Sequence, residues 1–305
     1  MDAIEIDRLT KRYGAARGVE DVSLRVPEGE IFGFIGPNGA GKTTTIRAAL
    51  GLLRPTAGRI ALLGRDVATA GPAARLGVGY VPGEVSLDDA ARVRDLLGYL
   101  GGFHPGDHRA RRDEVAAALG LDLDAAGADL SLGNRKKVAI VAALQHRPAL
   151  VILDEPTSGL DPVVQATLFE LLEAEAARGA TIFLSSHVLS EVQRLCRQVA
   201  VINEGRLVAV EDVAGLRARQ VRRVAAVFGA AGPPDALAAL PGVEAWERDD
   251  GGVRFVYRGP APALLAALAQ AAPDDVRIEE PSLEEIVMHH YLAPRRRGGR
   301  DVDAA

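Results

Sequence analysis

Short runs of apolar residues alternate with longer amphipathic segments along the chain. The runs at residues 31–35, 150–153 and 181–184 are almost uninterrupted, a pattern typical of strands buried on both faces of a parallel sheet. Apolar positions at helical spacing follow two of these runs and predict helices over about 43–52 and about 162–178. This alternation predicts an α/β core built on a parallel sheet.

A different pattern precedes the first of these strands. Residues 4–26 contain short alternating stretches, of which Val22, Leu24 and Val26 are the clearest. Such alternation is typical of antiparallel strands with one buried face, so we predict an N-terminal antiparallel β subdomain. Around residues 85–133 the pattern becomes helical and polar, with glycine and proline breakers. That change predicts a helical subdomain inserted into the core.

The composition changes after Asp212, where alanine, proline and glycine become frequent. Three segments then alternate between apolar and polar positions, at residues 221–228, 243–248 and 253–257. An Ala/Leu-rich helix follows at 261–271. We therefore predict one large domain over residues 1–212 and a small α+β domain over 213–293. The remaining Arg-rich residues, 294–305, are expected to form a disordered tail.

Charge and composition narrow the range of functions. The chain has 305 residues and a formal net charge of −5, so no overall basic field attracts nucleic acid, and we expect no nucleic-acid partner. Its longest uncharged stretch, residues 259–273, is shorter than the roughly 20 apolar residues that a membrane-spanning helix needs. The N-terminal residues lack a secretory pattern, and the single cysteine, Cys196, cannot form an internal disulfide. These features predict a cytoplasmic protein.

The turn after the first apolar strand carries the most specific motif. Residues 36–43 match G-x-x-x-x-G-K-[ST] between a predicted strand and a predicted helix. Glycines let consecutive backbone N–H groups surround phosphate oxygens, and the helix N-terminus adds its positive end. We expect Lys42 to reach the β and γ phosphates of a nucleotide and the Thr43 hydroxyl to ligate Mg²⁺. The predicted nucleotide-binding residues here are Gly36, Pro37, Asn38, Gly39, Ala40, Gly41, Lys42, Thr43 and Thr44.

Lysine usage lends minor support to this prediction. Of the 36 basic residues, only those at positions 11, 42, 136 and 137 are lysines. A lysine retained in an arginine-rich chain indicates a place where a compact ammonium fits and a guanidinium does not. Chance placement of the four lysines is the alternative explanation.

A second candidate for catalysis is the strand at residues 150–153, which ends in Asp154 and Glu155. Two acids at a strand end are most often a solvated turn. The phosphate-binding loop (P-loop) at residues 36–43 favours another interpretation, in which the strand is a Walker B strand whose terminal acids serve the bound nucleotide. Asp154 is then expected to hold Mg²⁺, directly or through water, and Glu155 to orient and deprotonate the attacking water. His187, just after the strand at 181–184, is a candidate donor to the γ-phosphate.

Taken in order, these motifs resemble those of the ATP-binding subunits of ABC transporters, and the resemblance covers most of the chain. Its elements are an aromatic residue at Tyr13, the P-loop at 36–43, a signature-like segment at 130–134, the Walker B strand at 150–155, a D-loop at 158–161 and a switch histidine at His187. Six elements in order are far more specific than any one of them.

The resemblance implies MgATP hydrolysis, with Lys42, Glu155 and His187 as catalytic residues. It implies further contacts with the nucleotide at the positions that match the family motifs. Tyr13 is expected to stack on adenine. Ser131 and Gly133 of the signature, with Asp161 of the D-loop, are expected to contribute to nucleotide binding, the signature pair by capping the γ-phosphate held by a second subunit.

The resemblance also implies partners and a location. Two ATP-binding subunits, expected to be identical, sandwich two ATP molecules head to tail. A separately encoded transmembrane permease is expected to dock near residues 84–105, which places the chain peripherally on the inner face of the cell membrane. The signature variant and the C-terminal domain resemble the drug and antibiotic exporter branch, so export of a drug, an antibiotic or another hydrophobic compound is expected. An importer ATPase and a soluble, non-transport ABC ATPase remain alternatives.

The sequence departs from the family pattern at two places. Leu132, Gly133 and Asn134 replace the usual Gly-Gly-Gln of the signature, in a form similar to that of the exporter branch. Where the family has the Q-loop glutamine, this chain has Gly83 followed by Glu84. Glycine cannot ligate a metal through a side chain. Glu84 is a candidate substitute ligand, because a carboxylate suits Mg²⁺; a solvated loop acid is the alternative.

Overall fold

A computed structural model describes residues 1–14, 16–214, 221–228, 232–249 and 251–279. The chain divides into two compact units, the first over Met1–Val213 and the second beginning at Ala214. The predicted tail at 294–305 and the end of the predicted small domain lie outside the described residues. No helix in the described ranges is long and apolar enough to cross a membrane.

The first unit contains ten strands and seven α-helices among its described residues. In chain order they are β1 (Asp2–Tyr13), β2 (Ala16–Pro27), β3 (Ile31–Ile35), α1 (Lys42–Ala49), β4 (Ala57–Leu62), β5 (Arg65–Asp66), α2 (Val67–Ala70), β6 (Val78–Val81), α3 (Val93–Gly101), α4 (Arg109–Ala118), α5 (Leu132–Leu144), β7 (Leu150–Asp154), α6 (Pro162–Ala177), β8 (Thr181–Ser186), α7 (Leu189–Leu195), β9 (Gln198–Asn203) and β10 (Arg206–Asp212). Short 3-10 helices span Gly71–Arg75 and Gly127–Asp129.

The core is a six-stranded sheet in the order β10-β9-β3-β8-β7-β6. All its strand pairs are parallel except β10 with β9. Strands β7 and β8 are buried at every position, as expected for strands covered on both faces. The predicted α/β class and its parallel core are therefore confirmed.

The predicted N-terminal β subdomain forms a second, antiparallel sheet in the order β2-β1-β4-β5. Its buried side includes Ile4, Val22, Leu24 and Val26. These side chains belong to the same apolar cluster as residues of the core sheet such as Phe32. This cluster fixes the hairpin β1–β2 beside the loop that follows β3.

The inserted helical region comprises α3, α4 and the start of α5. Helix α5 continues into the core and lies against β6. At Gly79 of β6, a Cβ atom would lie only 2.2 Å from the carbonyl oxygen of Ala143 in α5. A side chain at this position would therefore force the helix away from the strand, so glycine permits the close packing of α5 on β6.

The described part of the second unit contains β11 (Val221–Val227), α8 (Asp235–Ala238), β12 (Val243–Asp249), β13 (Gly252–Arg258), α9 (Ala261–Ala271) and β14 (Asp275–Glu279). Its antiparallel sheet has the order β12-β13-β11-β14. The elements follow one another as β-α-β-β-α-β, and together with this strand order they form the ferredoxin-like, split βαβ arrangement. Side chains such as Phe255, Tyr257, Leu264 and Leu268 form its own buried core.

Candidate active site

Four neighbouring strands of the core sheet end at the same edge. Parallel strands β3, β8, β7 and β6 are adjacent, so the loops that follow their carboxyl ends converge. These loops surround a cavity of about 560 Å³. Its lining residues are Gly18, Asn38, Gly39, Gly41, Lys42, Thr43, Thr44, Arg47, Gly83, Glu84, Asp154, Glu155 and Ser158.

The loop between β3 and α1 has the glycines that its path requires. A Cβ atom at Gly36 would lie 2.2 Å from the carbonyl oxygen of Ile202, and Gly41 has φ = 108°. Gly41 is also the N-cap of α1 and offers no side chain to the first backbone N–H groups of the helix. These groups are therefore open to an anion, and the loop fits a phosphate. The structure places the predicted residues 36–44 in this one loop and helix start.

Lys42 points from α1 into the loop and is only 5% exposed. Its Nζ donates to the carbonyl oxygens of Gly36, at 2.7 Å, and Pro37, at 3.2 Å. It also lies 3.1 Å from Glu155 Oε1. The ammonium thus stands between the P-loop and the end of β7, where a negatively charged phosphate group would compete with Glu155 for it.

Asp154 is the last residue of β7 and is 1% exposed. Its Oδ1 accepts a hydrogen bond of 2.7 Å from the Ser185 hydroxyl of β8. Its Oδ2 is buried and has no hydrogen-bond partner within the described residues. A buried carboxylate oxygen without a donor is costly, and it fits a role as a ligand to a cation.

Glu155 follows β7 in the left-handed region of the backbone, with φ = 47°. Its N–H donates to Ser185, both to the hydroxyl at 3.1 Å and to the carbonyl oxygen at 3.2 Å. Its Oε2 lies 3.0 Å from Nδ1 of His187. The backbone is thus anchored to β8 while the carboxylate bridges Lys42 and His187, so the three predicted catalytic side chains are in contact.

The loop after β6 brings Glu84 to the lining of the cavity, with its side chain exposed, so that it stays a candidate metal ligand beside the alternative of a solvated loop acid. Gly83 lies beside Asp154, and a Cβ atom there would be 3.5 Å from Asp154 Oδ2. Burial raises the pKa of the nearby Tyr80 hydroxyl, and the charge of Asp154 adds to that effect. The cavity lining therefore contains three acidic residues: Asp154 and Glu155 at the end of β7, and Glu84 on the loop after β6.

Sequence reasoning missed three groups at this site. Arg47 of α1 lines the cavity. The Ser185 hydroxyl donates to Asp154 Oδ1 and accepts a hydrogen bond from the N–H of Glu155. Lys136 of α5 is 3% exposed, and its ammonium lies beneath the two acids. Burial lowers the pKa of Lys136, while Asp154 and Glu155 act in the opposite direction. Its retention as a lysine in an arginine-rich chain and its place just after the signature-like segment marked it in the sequence, without indicating its partners.

Tyr13 lies at the end of β1 and is 45% exposed. Its ring is 3.3 Å from the position that a Cβ atom of Gly18 would take, and Gly18 lines the cavity. The ammonium of Lys11 lies 5.5 Å from the centre of the ring. Tyr13 therefore stands at the border of the cavity, with a large part of its ring open.

Ser131, Gly133 and Asp161 are not among the residues that line this cavity. They lie in the signature segment and the D-loop, two segments that are in contact. Ser131 is the N-cap of α5 and accepts a hydrogen bond from the Asn134 N–H at 3.3 Å. A Cβ atom at Gly133 would lie 2.9 Å from the carbonyl oxygen of Gly159. Asp161 is the N-cap of α6 and accepts from two backbone N–H groups at 3.0 Å. The signature segment and the D-loop thus pack together.

A glycine-rich loop that opens a helix, a buried lysine and a pair of strand-end carboxylates in one cavity define a P-loop nucleoside triphosphatase. The comparisons with known proteins agree. The family described as "ABC transporter" matches residues 19–158. The "Nod factor export ATP-binding protein I" of Paraburkholderia xenovorans (strain LB400) is 38% identical over 280 residues, which cover 88% of this chain and 90% of the relative.

A second relative and a solved structure extend this comparison. The protein of the same description from Cupriavidus pinatubonensis (strain JMP 134 / LMG 1197) is 37% identical over 276 residues, which cover 87% of this chain and 83% of the relative. A solved ATP-binding subunit of an ABC transporter has a TM-score of 0.67 at 31% identity, and the match covers 70% of this chain and 92% of that chain.

The chain therefore belongs to the ABC transporter family as an ATP-binding subunit, and it hydrolyses ATP. The predicted family resemblance and enzyme class are confirmed. ATP-binding domains of this family work with a membrane permease and often dimerise. The match to the Paraburkholderia protein covers more of the chain than the first unit contains, so the likeness extends into the second unit.

Proposed function

We propose that this chain is the ATPase subunit of an ABC exporter and that Lys42, Glu155 and His187 carry out its hydrolysis step. The contacts of Glu155 with Lys42 on one side and His187 on the other carry the proposal. Export is supported by the relatives, which are named for Nod factor export. The cargo class that we propose is a hydrophobic compound such as a drug or an antibiotic, as expected from the sequence.

Each catalytic residue has a role that follows from its position. Glu155 accepts the proton of the water that attacks the γ-phosphate, since its carboxylate is the base that faces the P-loop. Lys42 neutralises negative charge on the phosphates, and it does so from a buried position where charge interactions are strong. His187 contacts Glu155 at 3.0 Å and stabilises the charge that develops in the transition state.

The oxygen atoms at the cavity suit a magnesium ion. The Thr43 hydroxyl and Asp154 would hold it, and the unpartnered Oδ2 of Asp154 supports this assignment. Glu84 lines the same cavity and is a further candidate ligand. When bound, Mg²⁺ supplies positive charge that neutralises the phosphates.

The proposed assembly contains two copies of this chain and a separately encoded membrane permease. The signature residues Ser131 and Gly133 are not in the lining of the P-loop cavity, and Gly133 packs against Gly159 of the D-loop. They can therefore serve the nucleotide of a second subunit, while Tyr13 borders the cavity of its own subunit. We place this assembly with the ATPase at the cytoplasmic face of the cell membrane, where ATP is available.

The catalytic assignment is tested with Glu155→Gln in the full chain. Removing the general base should lower kcat for MgATP about 10²- to 10³-fold, and ATP binding should persist because the P-loop is unchanged. Glu173→Gln is the matched control, because Glu173 lies on the exposed side of α6. A Glu155→Gln chain that hydrolyses ATP at the unmutated rate would show that another group is the base.

The transport assignment is tested by affinity capture of the tagged Glu155→Gln chain with MgATP from its native cells in mild detergent. A co-purifying polytopic membrane protein, identified by mass spectrometry, supports the transporter subunit. Ribosomal or DNA-associated partners without a membrane protein would contradict it. Reconstitution of the captured pair in vesicles, with a hydrophobic dye on one side, then distinguishes export from import.

A further inference from the structure

Lys136 connects three segments of the chain at the active site. It lies in the second turn of α5, yet its side chain is buried. Its Nζ donates to the carbonyl oxygens of Pro82, at 2.9 Å, and Gly83, at 2.7 Å, and lies 3.3 Å from the carbonyl oxygen of Glu155. One ammonium therefore joins the signature helix, the loop after β6 and the residue that follows β7.

The packing of α5 on β6 brings Lys136 to this place. Ala143 of α5 lies against Gly79 of β6, and Lys136 precedes Ala143 by about two helical turns. At the other end of the contact, Lys136 reaches Pro82 and Gly83, which follow the carboxyl end of β6. The helix thus runs antiparallel to the strand, and its N-terminal part stands over the catalytic edge of the sheet.

The chemistry of the contact suits lysine. An ammonium has three N–H donors, and three backbone carbonyl oxygens surround it here. The nearby charges of Asp154 and Glu155 favour a cation in this buried place. Gly83 has no side chain with which the loop after β6 could contact Asp154 or Glu155. The hydrogen bonds of Lys136 connect the backbone of this loop to the backbone of Glu155.

We infer that Lys136 is a positioning residue for ATP hydrolysis, which fixes the backbone of Glu155 relative to the loop after β6 and to the signature helix. The inference rests on the proposed role of Glu155 as the general base. A displacement of a catalytic group by about 1 Å can cost about 10²-fold in rate. ATP binding by the P-loop depends on β3 and α1 instead, so the loss of Lys136 acts on kcat and spares affinity.

The test is a double-mutant cycle in the full chain with Lys136→Met, Glu155→Gln and the two together, measured by steady-state hydrolysis of MgATP. Lys136→Met should lower kcat about 10- to 100-fold and change KM less than about threefold. In the Glu155→Gln background it should change kcat less than about twofold, because the group that it positions is already gone. Lys137→Met, on the half-buried neighbour in the same helix, is the control and should leave kcat within about twofold of the parent.

Lys136→Gln separates positioning from a general loss of stability. The amide keeps two N–H donors for the carbonyl oxygens, so this variant should retain at least about a third of the parental kcat. If Lys136→Met does not fold, the same cycle is measured with Lys136→Ala, which also removes all three donors and should lower kcat about 10- to 100-fold in the parent and less than about twofold in the Glu155→Gln background.

Three results would overturn the inference. They are an unchanged kcat in Lys136→Met, a rise in KM that accounts for the loss in kcat/KM, and a loss that persists in full when Glu155 is already glutamine. The last result would assign Lys136 to the stability of the fold. Hydrolysis by Glu155→Gln alone at the parental rate would instead contradict the proposed base, so the two failures are distinguishable.

Discussion

Replacing His146 by phenylalanine should remove much of the loss of stability of the first unit in mild acid. The His146 ring stacks on the ring of His104, with centres 3.6 Å apart and an interplanar angle of 11°. His108 lies 6.3 Å from His146 in an edge-on arrangement. Both nitrogens of His146 are buried, and neither has a hydrogen-bond partner of good geometry within the described residues. The pocket therefore accommodates a neutral ring and disfavours an imidazolium.

The magnitude follows from the pKa of this ring. Burial, followed by the neighbouring His104, lowers the pKa of His146 from 6.5 to about 4. As the pH falls below 6.5 the unfolded chain binds a proton at this position, whereas the folded chain does not until the pH approaches 4. The unfolded state binds more protons in this window, so the free energy of unfolding decreases as the pH falls. Between about pH 7.5 and about pH 5 the decrease is about 2 kcal/mol.

The measurement is urea denaturation at these two pH values, for the parent and for His146→Phe, followed by far-UV circular dichroism. Fluorescence of Trp246, which belongs to the second unit, follows that unit separately. The parent should lose about 2 kcal/mol more than the variant on acidification. At the higher pH the two should differ by less than about 1.5 kcal/mol, because the rings have similar size and shape. Equal pH dependence in parent and variant would refute the reasoning.

Two further predictions concern the signature segment and the D-loop. Gly133→Ala places a Cβ atom 2.9 Å from the Gly159 carbonyl oxygen. This variant should lower the free energy of unfolding, measured by urea denaturation, by about 1–3 kcal/mol. Gly98→Ala, in open space on α3, is the control and should leave that free energy unchanged or raise it by up to about 1 kcal/mol. Asp161→Ala removes the cap from two N–H groups of α6 and should cost about 1–2 kcal/mol, whereas Asp161→Asn should cost less; equal losses in the two Asp161 variants would contradict the capping role.

The strands of the core sheet were predictable because a strand buried on both faces consists largely of consecutive apolar residues. Strands β3, β7 and β8 are covered on both faces, so each contains an apolar run: Ile31–Ile35, Leu150–Leu153 and Ile182–Leu184. Strands β4 and β14 were not assigned from the sequence. Three of the six residues of β4 and all five of β14 are exposed, so neither strand shows the alternation that a half-buried strand produces.

The site was predictable to the extent that its residues lie in contiguous motifs. Lys42, Asp154 and Glu155 stand in motifs whose spacing reflects the chemistry directly. Ser185 and Lys136 act through contacts that are distant along the chain: Ser185 is 31 residues from Asp154, and Lys136 is 53 residues from Gly83. A single serine or lysine outside a sequence motif gives no indication of which distant residue it contacts. Lysine usage marked Lys136 as unusual but gave no information on its partners.

The sheet order explains why the candidate catalytic groups meet although they are distant in sequence. Strands β3, β8, β7 and β6 are consecutive in the sheet, so each supplies one loop to the same edge: the P-loop, His187, Glu155 and Gly83. Lys136 reaches two of these loops from α5, because the packing of α5 on β6 places its ammonium beside the carbonyl oxygens of Gly83 and Glu155. Because Lys136 contacts both loops, we expect a movement of α5 relative to β6 to displace the backbone of Glu155 and, if Glu155 is the base as proposed, to lower kcat.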